Sequence, residues 1–228
     1  MIYPPLIFII MVVFFLITLI LLPFLWFGIV GNAFVALGIP PHTVFWLLIL
    51  TLVGSLVNIP LTTLESHEVV SGQVISYFGM QVRLPSARAT RQTTLAINVG
   101  GALIPAALSL YLFVKIADKI GVSWGLLAVL GIVTAVMYRL ARPVKGLGIA
   151  VPGLIPPLVA ALGAWLLCPQ AFRAPCAYIA CTMGTLIGAD LLHLEDITRM
   201  GAPVASIGGA GTFDAIFLGG IIAVLLSY

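Results

Sequence analysis

Of the seven acidic residues in the chain, Glu65, Glu68, Asp118, Glu195 and Asp196 stand in polar stretches, where solvation accounts for them. Asp190 and Asp214 do not. Asp190 follows Gly184-Thr-Leu-Ile-Gly188-Ala, and Asp214 follows Gly208-Gly209-Ala-Gly211-Thr-Phe, both inside apolar runs with helical pattern. A carboxylate in such a run is costly and marks a functional site by default. The two positions are symmetric about 202, at the Ala202-Pro203 turn. Two helical arms meeting there would bring both carboxyls to one depth, roughly 10–15 Å inside at about 1.5 Å per residue. Gly188 on one arm, with Gly208, Gly209 and Gly211 on the other, would let the two backbones approach closely. Two carboxyls that share one proton supply an acid and a base together, the arrangement that activates water against a peptide carbonyl. The same pair would also suit a proton or a small cation in a transport pathway, with Gly208-Gly209-Ala-Gly211 as a broken helix start. A third reading leaves both aspartates paired with polar groups in a structural role.

Two other polar residues fall within apolar stretches. His193 is three residues beyond Asp190, on the same helix face, and suits either an interfacial hydrogen bond or a proton relay. Asn98 suits either a hydrogen bond between helices or the completion of a polar site. His67-Glu68-Val-Val-Ser71 lacks the second histidine of a zinc-protease helix, and His42 reads as interfacial. No metal site and no cofactor are expected. Serine-hydrolase and phosphate-cradling patterns do not occur.

The elements that must hold these groups are set by composition. Hydrophobic residues are 62% of the 228 positions and charged residues only 7%, against about 25% charged in a soluble domain. Residues 1–64 contain no Asp, Glu, Lys or Arg. The expected class is therefore all-α: a single polytopic transmembrane domain over 1–228, solvated by the lipid bilayer, because every span must satisfy its own backbone. Helices are predicted near 6–28, 42–63, 95–114, 121–140, 147–168, 175–194 and 208–227, about seven in all, and 29–39 is left open as an extra short piece. Pro105, Pro152, Pro156 and Pro157 are expected to mark kinks. Residues 6–22 lack a basic leader and a small-residue cleavage site, so they read as a retained helix.

In the long connection 64–94, Val74 to Phe78 and Gln81 to Leu84 read as two short strands around a Gly79-Met80 turn, with an irregular polar loop as the alternative. Loops two, four and six hold Arg83, Arg88, Arg91, Arg139, Arg142, Lys145 and Arg199, against Lys115, Lys119 and Arg173 in loops three and five. That bias predicts a cell-membrane protein with its amino terminus cytosolic and its carboxyl terminus outside. The net charge of +3 is small and dispersed, which argues against nucleic acid as a partner. Cys168, Cys176 and Cys181 read as small packing residues, with a Cys168–Cys176 bridge as the alternative. Two short echoes stand out: Leu103-Ile-Pro-Ala with Leu154-Ile-Pro-Pro, and Val99-Gly-Gly-Ala with Ile207-Gly-Gly-Ala. They do not establish a duplication.

The aspartate pair resembles that of the intramembrane aspartyl proteases of the presenilin, signal-peptide-peptidase and prepilin-peptidase kind. Those carry one aspartate on one helix and the second in Gly-x-Gly-Asp on another. Here Thr212 and Phe213 intervene between Gly209-Ala-Gly211 and Asp214, and Ala189 precedes Asp190 in place of tyrosine. The resemblance implies a transmembrane peptide as substrate. A closer one covers about 95–228. Ile97-Asn98-Val-Gly-Gly-Ala-Leu-Ile-Pro105, Gly184 to Leu194 and Gly201 to Gly220 are similar to a prokaryotic multi-spanning membrane family of unknown function. It implies no activity.

Overall fold

The computed structural model describes residues 4–70, 74–77, 80–83, 87–144, 148–197 and 203–227. Ala202, Lys145, Arg199, Tyr228 and the expected turn residue Gly79 lie outside the described residues. The chain divides into two units, Met1–Trp46 and Leu47–Tyr228. The first holds α1 (Pro4–Ala36), where Phe8, Met11, Phe14 and Phe15 are exposed, and the start of α2 (Pro41–Gly54). Gly38, at φ 74°, makes the break between them with Pro40 next but one, a conformation open to glycine at little cost.

The second unit is mostly helical: α3 (Ile104–Ile120), α4 (Trp124–Leu140), α5 (Ile155–Leu167), α6 (Arg173–Thr185), the short α7 (Leu194–Ile197) and α8 (Gly219–Leu226). Helix α6 is the axis. Ala174, Cys176, Ala177, Tyr178, Ala180 and Cys181 are all buried on it, while α3, α4, α5 and α8 pack around it. Small residues let these backbones close up where lipid supplies no hydrophobic push. Gly184 sits on Val133 of α4, and Gly220 of α8 sits on Tyr178 and Thr182. The outer faces stay apolar and exposed: Leu110 and Tyr111 on α3, Leu158, Leu162, Trp165 and Leu166 on α5. Lipid-facing helices need such surfaces. Among the described residues, Val99–Ile120 and Gln170–Asp196 are long and apolar enough to cross a membrane, and Phe27–Ala36 with Pro41–Gly54 adds a third if it counts as one broken span. The cysteines are buried free thiols.

The prolines divide. Pro156 stands in the first turn of α5, where a missing N–H costs nothing and a fixed φ starts the helix. Pro105 follows a π-helical turn, Val99–Leu103, inside a helix continuous to Ile120, so it goes with an irregular ladder as expected.

The larger departure is strand. Helix α2 stops at Gly54, and β1 (Asn58–Val70) runs antiparallel to β4 (Ala87–Asn98). The expected helices 42–63 and 95–114 both overran these strands. Thr62, Thr63, Thr90, Thr93, Thr94 and Ile97 are β-branched residues that favour a pleated surface, and Pro60 sits where the register shifts. Between them β2 (Val74–Tyr77) pairs with β3 (Met80–Arg83). The two expected short strands are present and paired, with Met80 in strand rather than in the turn; Phe78 and Gly79 lie outside the described residues. A small ribbon, β5 (Arg142–Val144) with β6 (Gly148–Ala150), follows α4. Finally β7 (Val204–Ile207) pairs in parallel with β4, giving the order β1-β4-β7.

Candidate functional site

Three places in the second unit depart from the α-helix in the same way. Val99–Leu103, Leu186–Asp190 and Asp214–Leu218 are π-helical turns, one at the start of α3, one continuing α6 and one leading into α8. Such widened turns recur at functional sites because they re-aim side chains and loosen the backbone ladder. Here each adjoins or contains a candidate residue: Asn98 caps the first, Asp190 closes the second and Asp214 opens the third.

All three residues line one cavity of about 550 Å³. Its walls are β7, the stretch Gly208–Phe213, Ser55 after α2, Asn58 at the start of β1, and Gly148-Ile149 of β6. The cavity therefore lies at the ends of elements. Asn98 immediately precedes the candidate span Val99–Ile120, and Asp190 is near the carboxyl end of Gln170–Asp196.

Asp190 is buried, 3% exposed. Its Oδ2 accepts from the Gly208 N–H at 2.6 Å and from the Thr212 hydroxyl at 3.0 Å. Both bonds fall on one oxygen, and among the described residues Oδ1 accepts none. Gly208 makes its bond from φ 68°, pressed against the Gly101–Ala102 peptide; a Cβ on Gly101 would in turn strike the Gly208 carbonyl. The second echo, Val99-Gly-Gly-Ala with Ile207-Gly-Gly-Ala, thus consists of two segments packed face to face. Asp214 is exposed and borders the same cavity.

The expected helical hairpin is not what carries the pair. Residues 204–207 are strand and 208–212 are turn, so the second arm becomes helical only at Phe213. Depth counted at a helical rise does not apply to it. The glycines approach other partners than expected. Gly188 lies on Thr134 and Met137 of α4, Gly208 on Gly101, Gly209 on Ser206 and Gly211 on the Ile149 carbonyl. Together they draw α4, β6 and the first π turn around Asp190.

His193 is buried with its ring 4.9 Å from that of Tyr138, and its Nδ1 lies 3.1 Å from the Gly188 carbonyl. A carbonyl only accepts, so Nδ1 carries the hydrogen. Asn98 is held at both ends: its Oδ1 accepts from the Gly101 N–H at 2.7 Å, and its Nδ2 donates to the Ser55 carbonyl at 2.7 Å and to Asn58 Oδ1 at 3.0 Å. Ser206 Oγ also donates to Asn58 Oδ1, at 2.6 Å. Asn58, Ser206 and Thr212 were not singled out by sequence reasoning. The period-two pattern of Val204-Ala205-Ser206-Ile207, with Ala205 and Ile207 buried, was the available signal. Among the described residues no cluster of three or more His, Cys, Asp or Glu could hold a metal.

A family model described as "Protein of unknown function (DUF1614)" matches residues 52–226. The chain belongs to the DUF1614 family. The match includes every residue lining the cavity and begins near the end of α2, earlier than the similarity expected from about 95. No curated protein and no solved structure matches the chain.

Proposed function

We propose that this DUF1614 protein is a polytopic membrane peptidase of the aspartyl class, with Asp190 and Asp214 as its catalytic pair. The carrying observation is that both aspartates line one cavity, one wall of which is an edge strand. Among the described strands β7 has a neighbour only on the β4 side. Thr94 N–H donates to the Pro203 carbonyl, which sets the alternation: in a parallel pair the amides of Val204 and Ser206 point away from β4. A helical substrate hides its scissile carbonyl within its own hydrogen bonds. An edge strand stabilises the extended form by adding it to the sheet.

In this reading one carboxylate takes a proton from water as its oxygen attacks the carbonyl carbon. The other carboxyl hydrogen-bonds the carbonyl oxygen, and the leaving nitrogen receives a proton as the C–N bond breaks. Gly208 and Thr212 hold Asp190 so that Oδ1 meets the substrate. Reconstituted protein should cleave a model transmembrane peptide, and Asp190→Asn or Asp214→Asn should each lower turnover on the order of 1,000-fold or more. Proton or cation flux that depends on Asp214, with no peptide cleaved, would replace this reading by the transport one.

A further inference from the structure

Asn58 is the one exposed side chain in the hydrogen-bonded chain that crosses the sheet end. Its orientation is fixed by others. Asn98 cannot turn over, because its Oδ1 must face the Gly101 N–H and its Nδ2 the Ser55 carbonyl. The same Nδ2 donates to Asn58 Oδ1, and the Ser206 hydroxyl donates there too. With Oδ1 fixed by two donors, the Asn58 amide has a single orientation, and its Nδ2 has no acceptor among the described residues. The chain of bonds runs in one direction, from a backbone N–H through two amides. Each bond polarises the next, which strengthens the terminal donor.

The lining decides what that donor meets. Among the described residues no Lys, Arg or His lines the cavity, and Asp190 and Asp214 do, so these residues disfavour an anion. A cation has nothing to gain from N–H groups. A neutral acceptor remains. Ser206 and the exposed Ala210 present small side chains on the same wall, which admits a backbone. We propose that Asn58 Nδ2 binds a carbonyl oxygen of an extended peptide lying in the cavity, and so sets the peptide's register. This rests on the peptide-substrate reading above, though not on cleavage.

The test uses full-length protein in nanodiscs and a set of transmembrane peptides. In each peptide one amide is replaced by an E-alkene, which keeps the geometry and lacks the carbonyl oxygen. The wild type should bind about tenfold more weakly to the peptide altered at one particular bond. Asn58→Asp keeps Oδ1 for Asn98 and Ser206 but loses the outward donor. It should bind that peptide and its parent equally, and Asn58→Ala should do the same. A penalty that persists unchanged in both variants overturns the proposal. So does a wild type that shows no penalty at any bond, or that binds no peptide. The expected pattern without cleavage keeps the assignment of Asn58 and removes the peptidase.

Discussion

Thr212 and Gly208 each hold the same oxygen of Asp190, and they differ in what replaces them. Thr212→Val removes a hydroxyl donor from a buried carboxyl while keeping the shape, and should cost about 1–3 kcal/mol. Thr212→Ser should recover most of it. Denaturant titration in detergent measures both, and equal stability of the two variants would remove Thr212 from the support. Gly208→Ala should do more damage, about 3 kcal/mol or beyond, because its φ of 68° and the Gly101 backbone both exclude a Cβ. His193 tests a different point. Its Nδ1–H is engaged by the Gly188 carbonyl, so His193→Leu should cost about 1–2 kcal/mol and leave the shape of the pH–rate profile unchanged. A shifted profile would restore the proton relay.

At the level of elements, the prediction belongs to β7. Val204→Pro removes an N–H that points away from β4, so it should raise KM for peptide while the helices keep their circular dichroism. Ala205→Pro removes a ladder donor and should disrupt the site altogether. If both variants behave alike, the edge of β7 is not where peptide docks. These strands also show what was legible in the sequence. Apolar composition alone announced helices, and the short hairpin at 74–83 was readable from its residues. The ends of α2 and the start of α3 were not, because the apolar run continues through Ile59-Pro60-Leu61 and Leu95-Ala96-Ile97 into strand. Only the cluster of threonines signalled the change. Pro156 looked like a kink because its helix was started too early, at 147 instead of 155. For the site, Asp190, Asp214, Asn98 and the glycines were visible as anomalies in an apolar background. Asn58, Ser206 and Thr212 are ordinary polar residues until long-range pairing brings them together. A π turn has no local sequence signature, so the three that frame the cavity could not have been seen.

For the whole molecule, the loop charges and the element ends agree on one side. The cavity is built where α2, α4 and α6 finish and where α3 and α8 begin. Basic Arg139 and Arg142 stand at that same end of α4, and the positive-inside bias predicts a cytosolic position for it. Single-cysteine variants in a background lacking Cys168, Cys176 and Cys181 should test this. Val144→Cys should be labelled from inside and Val122→Cys from outside; the reverse pattern would invert the protein. One more consequence lies in the pairing of β4 with β7, which joins Thr94 to Val204, more than a hundred positions later. At ribosomal speeds of about 5–20 residues per second, that separation is on the order of ten seconds of synthesis. During that interval β4 has a bare edge and Gly101 has nothing to press against, and Asp190, made only shortly before Val204, still lacks the Gly208 and Thr212 donors when it emerges. On the proposed peptidase reading, the catalytic pair would stay incomplete until synthesis is nearly finished. The site would be completed only when the strand proposed to receive a substrate has itself been delivered, so the order of translation would serve as a safety catch.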